Sequence, residues 1–336
     1  MRDDIFPSDV QRNLGLSNET MLWLERIERP STSPAPQLPD DVEAAYLMER
    51  LGVEPADQAD TLAARLDPDE HSELWWVFDR IYYEMLANMG RGEPVDGFKG
   101  WPAFPASTGP LGMHLYVWLF LAVVPKVRRF HAERGISDEV SWESLKVLGR
   151  GMGTHRLMTG VSGLGLWGQW GGPMCFMGAD YQLGRLSFNR GELSFLGRTH
   201  THVLNMHVPP FGPVDAAACD ESLAQAREFF PRHFPEEPVT FFICHSWLMD
   251  DQLASYLPES SNIVRFQRRF NLVQASELET SDTFILNYVF NKGNDAPEIP
   301  LTLLDELPQD TTLQRAFVSH LRSGRHWYER TGWAAF

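Results

Sequence analysis

Apolar residues recur at helical spacing through the first part of the chain. In "DVEAAYLMERLGV" the residues Val42, Ala45, Tyr46 and Met48 keep one helical period, which stops at Gly52. "DPDEHSELWWVFDRIYYEML" opens on Asp-Pro, a favoured helix start, and carries Leu74, Phe78, Ile81 and Met85 on one face. "NETMLWLERI" predicts a further helix, capped by Asn18 or Thr20. The most apolar run, "LYVWLFLAVV" from Leu115 to Val124, spans about 15 Å as a helix, half a bilayer, and is expected to be a buried core helix. Two irregular stretches interrupt the helices: a Pro/Ser-rich connector from Arg29 to Asp41, and "GRGEPVDGFKGWPAFPASTGP". No β alternation of any length precedes about residue 160.

After a predicted helix over "DEVSWESLKVLGRGMGTHRLM" the texture changes. "LWGQWGGPMCFMG", "YQLGRLSF" and "ELSFLG" are short strand-like runs, and "NRG" between the last two predicts a hairpin turn. "HTHVLNMHV" predicts a strand, "PVDAAACDESLAQAREFFPRHF" a helix opened by Pro213 or Asp215, and "TFFICHSW" a second strand. "DDQLASYL" then predicts a helix, "NIVRFQRRF" and "TFILNYVF" strands, and "TTLQRAFVSHLRSGRHWY" a closing helix. The expected architecture is an all-helical N-terminal domain, residues 1–136, followed by an α/β domain with a mixed sheet, residues 137–336. Two strands joined through a crossover helix are expected to be parallel, adjacent and right-handed in connection. Ligands bind outside the carboxyl ends of such strands. Those ends are "MHVPPFGP" and "CHSWLMD", so His207 and His245 are expected at the mouths of neighbouring strands.

Charge and cysteine content narrow the partners. A formal net charge of −16 argues against nucleic acid or an anionic membrane, both of which repel such a chain. Cys175, Cys219 and Cys244 lie far apart and form no CxxC, which points to neither a disulfide framework nor a zinc finger. The N-terminus lacks the basic start and apolar core of a signal peptide, so a cytoplasmic location is expected.

Several motifs carry a bland reading beside a functional one. "GLGLWG" places Gly163, Gly165 and Gly168 as in a dinucleotide fingerprint, but the expected helix precedes it and the strand follows, the reverse of the required order. His200 and His202 share a strand face while His207 points the other way, an incomplete ligand set for a metal. A solvent-facing pair is the preferred reading of the first two, and no metal is expected. Cys244-His245-Ser246 resembles a nucleophile elbow only loosely, because bulky residues crowd the turn on either choice of centre. Two readings stay open for it: His245 as a proton-transfer group, or a helix-entry turn capped by Ser246 or Asp250. In "RFQRRF" the residues Arg265 and Arg269 would share one strand face, solvated or paired with the acidic surplus. Leu148 to Pro213, by contrast, carries Arg150, Arg156, Arg185, Arg190 and Arg198 against Asp180 and Glu192, a local excess of positive charge that could face an anionic ligand such as a phosphate.

Taken together, "YQLGRLSF", "HVLNMHVPPFGPVD", "SLAQAREFFPRHFPE", "CHSWLMDDQLASYLPESSNIVRFQRRF" and "LQRAFVSHLRSGRHWYERTGW" resemble the actinobacterial two-part acyltransferase-like family, with a helical N-terminal domain and a GNAT-like C-terminal domain. The resemblance covers most of residues 137–336. It implies an N-acyltransferase that moves an acyl group from acyl-CoA, or another pantetheine-linked thioester, to a small-molecule amine. It implies a pantetheine arm between "VLNMHVP" and "TFFICHSW", with contacts from Val208, Pro209, Phe211, Gly212, Asp215 and Ser246. The phosphate turn of that family is Gly-rich with a leading Arg or Gln; here only Gly212 stands between two prolines, and Pro213 lacks an N–H. By the same resemblance His207 is the first candidate base, His245 the second and Tyr256 a general acid. Asn205 or the "HVPP" backbone would polarise the thioester carbonyl, and Trp167, Gln169 and Trp170 would wall the acceptor pocket. Two rival expectations are a GNAT-like binding module without activity, and a thioester hydrolase using Cys244 or Ser246.

Overall fold

The computed structural model describes residues 5–29, 34–92, 101–164, 171–195, 199–274, 279–292 and 299–336. The chain divides into two compact units, Met1–Tyr181 and Gln182–Phe336. The boundary expected at 136/137 falls inside the first unit, between two of its helices.

The first unit is helical: α1 (Pro7–Leu14), α2 (Asn18–Arg26), α3 (Asp41–Arg50), α4 (Pro55–Ala63), α5 (Ser72–Ala87), α6 (Gly109–Glu133), α7 (Asp138–Leu145), α8 (Val147–Thr159) and α9 (Gly171–Phe176). Ser17 caps α2, accepting from Thr20 N at 3.1 Å, one position before the caps expected from sequence. In α3 the buried face is Ala44, Leu47 and Met48, and Val42 and Tyr46 point to solvent. The helical period was therefore correct and its inward phase was not. Leu115–Val124 lies wholly inside α6, which is 25 residues long and apolar enough to cross a membrane by length and composition. Every residue of that run is nonetheless buried against neighbouring helices, as a core helix requires. The segment before β1, expected to be strand-like, ends in the helix α9.

Helix ends in this unit are satisfied by side chains of α6. Trp118 Nε1 donates to the carbonyls of Thr61 (3.2 Å) and Ala64 (3.1 Å) at the end of α4, where the helix's own ladder of hydrogen bonds runs out. Asp57, fully buried in the first turn of α4, accepts from Arg156 Nε and Ser162 Oγ, each at 2.8 Å. His114 Nε2 meets the same Ser162 hydroxyl at 3.2 Å. This buried network ties α4, α6, α8 and the segment after α8.

The second unit carries β1 (Asp180–Leu183, entered just before the boundary), β2 (Leu186–Phe195), β3 (Thr199–His207), α10 (Ala216–His233), β4 (Val239–Ser246), α11 (Asn262–Gln267), β5 (Asn271–Leu272), β6 (Glu279–Thr280), α12 (Asp282–Phe290), α13 (Leu301–Glu306), α14 (Thr312–Arg322) and β7 (Tyr328–Ala335). The strands pair in the order β1-β2-β3-β4-β7-β5, with β6 on β7, and β3 and β4 are parallel as expected.

Five sequence expectations are corrected here. "NRG" lies inside the continuous strand β2, and the preceding hairpin turn is at Gly184-Arg185, where Gly184 takes φ +67° and a Cβ would sit 3.0 Å from Ser222 Oγ. "NIVRFQRRF" opens as the helix α11, capped by Ser261, so Arg265 and Arg269 do not share a strand face. "TFILNYVF" is the helix α12, its Ile285, Leu286 and Phe290 packed on Phe317 and Leu321 of α14. "DDQLASYL" forms only a short 3-10 turn, Asp251–Ser255. The closing helix stops at Arg322, and the chain returns as β7 between β4 and β5.

One sheet face is apolar. Phe188, Leu204, Met206, Phe242 and Cys244 are buried there; Phe188 contacts Phe242 (5.7 Å between ring centres) and Phe230 of α10 (6.4 Å). Arg190, 2% exposed, is neutralised by Glu237 and lies over the Phe234 ring.

Replacing Arg156 by Ala should leave the buried Asp57 carboxylate short of its charge partner and destabilise the fold. Thermal unfolding would show a clear fall in Tm, and an added Asp57→Asn change should recover part of it.

Candidate functional site

The parallel ladder between β3 and β4 runs from His202–Val239 to Asn205–Ile243. Beyond that pair β3 continues two residues, to His207, and β4 three, to Ser246. On their outer sides both strands stay paired: His207 with Ser187 of β2, and Cys244, His245 and Ser246 with Gly332, Thr331 and Arg330 of β7. The two central strands therefore splay at their carboxyl ends while each keeps its flanking neighbour. A cleft in the middle of a sheet is the outcome.

Register fixes what faces that cleft. Side chains alternate along a strand, and directly paired residues share a face. Asn205, His207, Ile243 and His245 therefore share the face opposite the apolar one, joined by Asn189 of β2 and by Glu329 and Thr331 of β7. His207 and His245 each stand two residues beyond the last paired position of their strand, on the same face of the sheet.

Their surroundings pull them apart in proton affinity. His207 Nε2 meets Asn189 Oδ1 at 2.6 Å, which makes Nε2 the protonated nitrogen and Nδ1 the accepting one. Part of its side chain reaches solvent, but the ring is surrounded by protein and burial pushes its pKa down to about 4. His245 is exposed at the edge of the cleft, with Nδ1 2.9 Å from Thr331 Oγ1 and Nε2 3.2 Å from Glu329 Oε2. The hydrogen bond and charge of Glu329 raise its pKa, with Glu279 adding to the effect. At neutral pH His207 is a neutral imidazole, and His245 lies closer to the imidazolium. Ligand atoms of His245, Glu279 and Glu329 lie within 4.8 Å of one another. Nδ1 is engaged with Thr331 and Nε2 with Glu329, so the three form a hydrogen-bonded pair with a second carboxylate beside it.

The segment from β3 to α10 closes one end of the cleft. Gly212 takes φ +65°, and Phe211 is exposed. Arg185, from the β1–β2 turn, donates to Pro213 O (2.9 Å) and Gly212 O (3.2 Å) and lies over the Phe211 ring. Its remaining Nη1 is buried with no hydrogen-bond partner among the described residues. Ser222 Oγ of α10 accepts from Arg185 N at 2.8 Å and so holds this turn against the helix. Asp215 caps α10, accepting from Ala218 N at 3.1 Å. Its carboxylate is used on its own helix, which removes it from the groups suited to touching an anion. In the sequence Arg185 is one of five arginines of a locally basic stretch, and only the fold singles it out at this turn.

The other predicted residues are placed as follows. Val208 and Pro209 are half-buried in the loop after β3. Ser246 Oγ accepts from Leu248 N at 3.1 Å and caps the 3-10 turn that follows, the helix-entry reading of that triplet. Cys244 is buried on the apolar face and burial pushes its thiol up to about 12, which unfits it as a nucleophile. Tyr256 is not brought to the cleft strands: it lies beside the apolar cluster under α12–α14, its hydroxyl 3.0 Å from His320 Nδ1 and 2.7 Å from Arg325 Nη2. Trp167, Gln169, Trp170, Gly165 and Gly168 lie outside the described residues. His202 reaches Glu192 at 3.7 Å near the surface.

Comparison with known proteins agrees with this geometry. Residues 42–171 match the N-acyltransferase N-terminal domain, and residues 181–334 the GNAT-like C-terminal domain. Among solved structures, an acyltransferase in complex with decanoyl-CoA and teicoplanin is 38% identical, with a TM-score of 0.86 over 98% of this chain and 99% of that one. An acyltransferase mutant in complex with octanoyl-CoA is 38% identical, with a TM-score of 0.87 over 99% of this chain and 100% of that one. An acyltransferase with CoA and 10C-teicoplanin is likewise 38% identical, with a TM-score of 0.87 over 98% and 99%. No curated protein sequence matches the chain.

Two measurements check the site's electrostatics. Native protein treated with N-ethylmaleimide at neutral pH should leave Cys244 unlabelled by mass spectrometry, whereas unfolded protein labels it. His207 should titrate by NMR near pH 4. Because its folded pKa lies below the unfolded value of about 6.5, the unfolded chain takes up the proton first as pH falls. His207 should therefore cost stability progressively between about pH 6.5 and 4, roughly 3 kcal/mol in all, and His207→Gln should flatten that part of the stability curve.

Proposed function

The chain belongs to the N-acyltransferase family, with an N-acyltransferase N-terminal domain and a GNAT-like C-terminal domain, and from that premise we propose that this acyltransferase moves a medium-length acyl group from acyl-CoA to an amine of a glycopeptide. The observation that carries the reading is the splay of β3 and β4 after Asn205–Ile243, with two histidines on one face of it. An extended thioester arm fits between strands whose inner edges no longer pair. The choice of donor and acceptor follows the solved relatives, which hold decanoyl-CoA and teicoplanin at 38% identity over nearly the whole chain.

In this reading His207 is the base. An imidazole with a depressed pKa is in its basic form throughout the neutral range, and the hydrogen bond of Nε2 to Asn189 assigns the accepting role to Nδ1. The acceptor nitrogen attacks the thioester carbonyl, the C–N bond forms, the C–S bond breaks, and the nitrogen's proton passes to His207. Direct transfer needs no covalent enzyme intermediate, in keeping with the buried, un-ionised Cys244. The diphosphate of CoA would rest against the start of α10, where free N–H groups favour an anion, with Arg185 supplying the charge that the proline-rich turn lacks.

Incubation with decanoyl-CoA and a glycopeptide bearing a free amine should release thiol only when both are present, and the glycopeptide should gain the mass of one decanoyl group. Thiol release independent of the acceptor would favour the hydrolase reading, and no release at all would favour the binding module. His207→Ala should lower kcat by about 100-fold or more with little effect on binding of acyl-CoA.

A further inference from the structure

Glu329 has no part in the reaction as written, yet it is the residue that most alters the cleft's charge. It comes from β7, so it reaches the site only because the chain's last strand inserts beside β4. Its side chain is 20% exposed and stands 3.2 Å from His245 Nε2, while the other ring nitrogen lies 2.9 Å from Thr331 Oγ1. The imidazole is thus held at both nitrogens by two residues of one neighbouring strand, an arrangement that sets its orientation as well as its charge. A surface histidine needs neither. The groups facing the pair are Glu279 from β6 and Tyr288 from α12, whose hydroxyl is pushed up by burial and by the charge of Glu329; His207 lies on the same sheet face, at the end of β3. Two carboxylates therefore stand beside His245, a setting that favours its charged form.

We propose that Glu329 is a positioning residue that holds His245 as an imidazolium at the mouth of β4, ready to protonate the departing CoA thiolate. This rests on the acyl-transfer reading. As the C–S bond breaks its electron pair stays on sulfur. Sulfur then takes the proton from His245 Nδ1, which leaves Thr331 to give it, and Nε2–H stays bonded to Glu329. The step ends with His245 neutral and His207 protonated, and exchange with solvent resets both. The two histidines divide the work because their surroundings drive their proton affinities in opposite directions.

The test is the pH dependence of kcat with decanoyl-CoA and the amine acceptor for the native protein, Glu329→Gln and Glu329→Asp, beside an NMR titration of His245 in the native protein. Glu329→Gln should lower kcat on the alkaline side by about tenfold, move that limb to lower pH, and leave KM for decanoyl-CoA within about twofold. Glu329→Asp should restore most of the native profile. In the native protein His245 should titrate above its ordinary 6.5, and this holds whether or not a variant folds. A Glu329→Gln profile that superimposes on the native one, a change confined to KM, or a His245 midpoint at or below 6.5 overturns the assignment. Absence of any turnover by the native protein would instead sink the acyl-transfer reading itself, so the two failures are distinguishable.

Discussion

Backbone hydrogen bonding sets the terms for this site. A β-strand must pair its amides and carbonyls on both edges or surrender them to solvent or ligand. Here β3 and β4 pair with each other only as far as Asn205–Ile243, and each then relies on its outer neighbour alone. Splitting a sheet in its middle is affordable because β2 and β7 keep the outer edges of the separated ends in register. The inner edges are left for whatever enters, and each group there that finds a partner regains on the order of 1 kcal/mol. An extended arm carrying amides and a thioester has the shape and the polar groups for that space.

The splay also explains why chemistry concentrates on one face. The face under α10 is filled by Phe188, Leu204, Met206, Phe242 and Phe230, and it fixes where the strands lie. The opposite face carries Asn189, Asn205, His207, His245, Thr331 and Glu329, most of them able to give or take a hydrogen bond. The same alternation that buries Cys244 exposes His245 beside it. One strand thus separates an inert thiol from an imidazole whose proton affinity a carboxylate raises.

Much of this was legible in the chain. The strand–helix–strand order, the parallel pairing and the address of both histidines follow from strand-like runs flanking a long capped helix, since such local order leaves few topologies open. Other parts were hidden for physical reasons. "TFILNYVF" is apolar on both strand and helix phases, so its period decides nothing, and contacts with α14 settle it as α12. "YERTGWAA" has no clean alternation, because half of β7 faces polar partners on β4 and β6, and so the strand went unseen. With it went Glu329 and Thr331, which reach His245 across 84 and 86 residues of chain. Arg185 stood out only as one of five arginines from Leu148 to Pro213, because local charge carries no period and cannot say which of them reaches the turn before α10.

The departure of the phosphate turn from its family's pattern has a local counterpart. Pro213 removes one backbone donor and Asp215 occupies Ala218 N, so the first turn of α10 has fewer amides to offer than a glycine-rich turn would. Arg185 reaches the same carbonyls from the neighbouring hairpin, and Ser222 fixes that hairpin to α10. A guanidinium held by two carbonyls and an aromatic ring is already desolvated and oriented, so little ordering remains to be done when an anion arrives. Affinity for a diphosphate would then depend on one side chain more than on a row of amides. Such a loop tolerates proline, because its shape is set from outside.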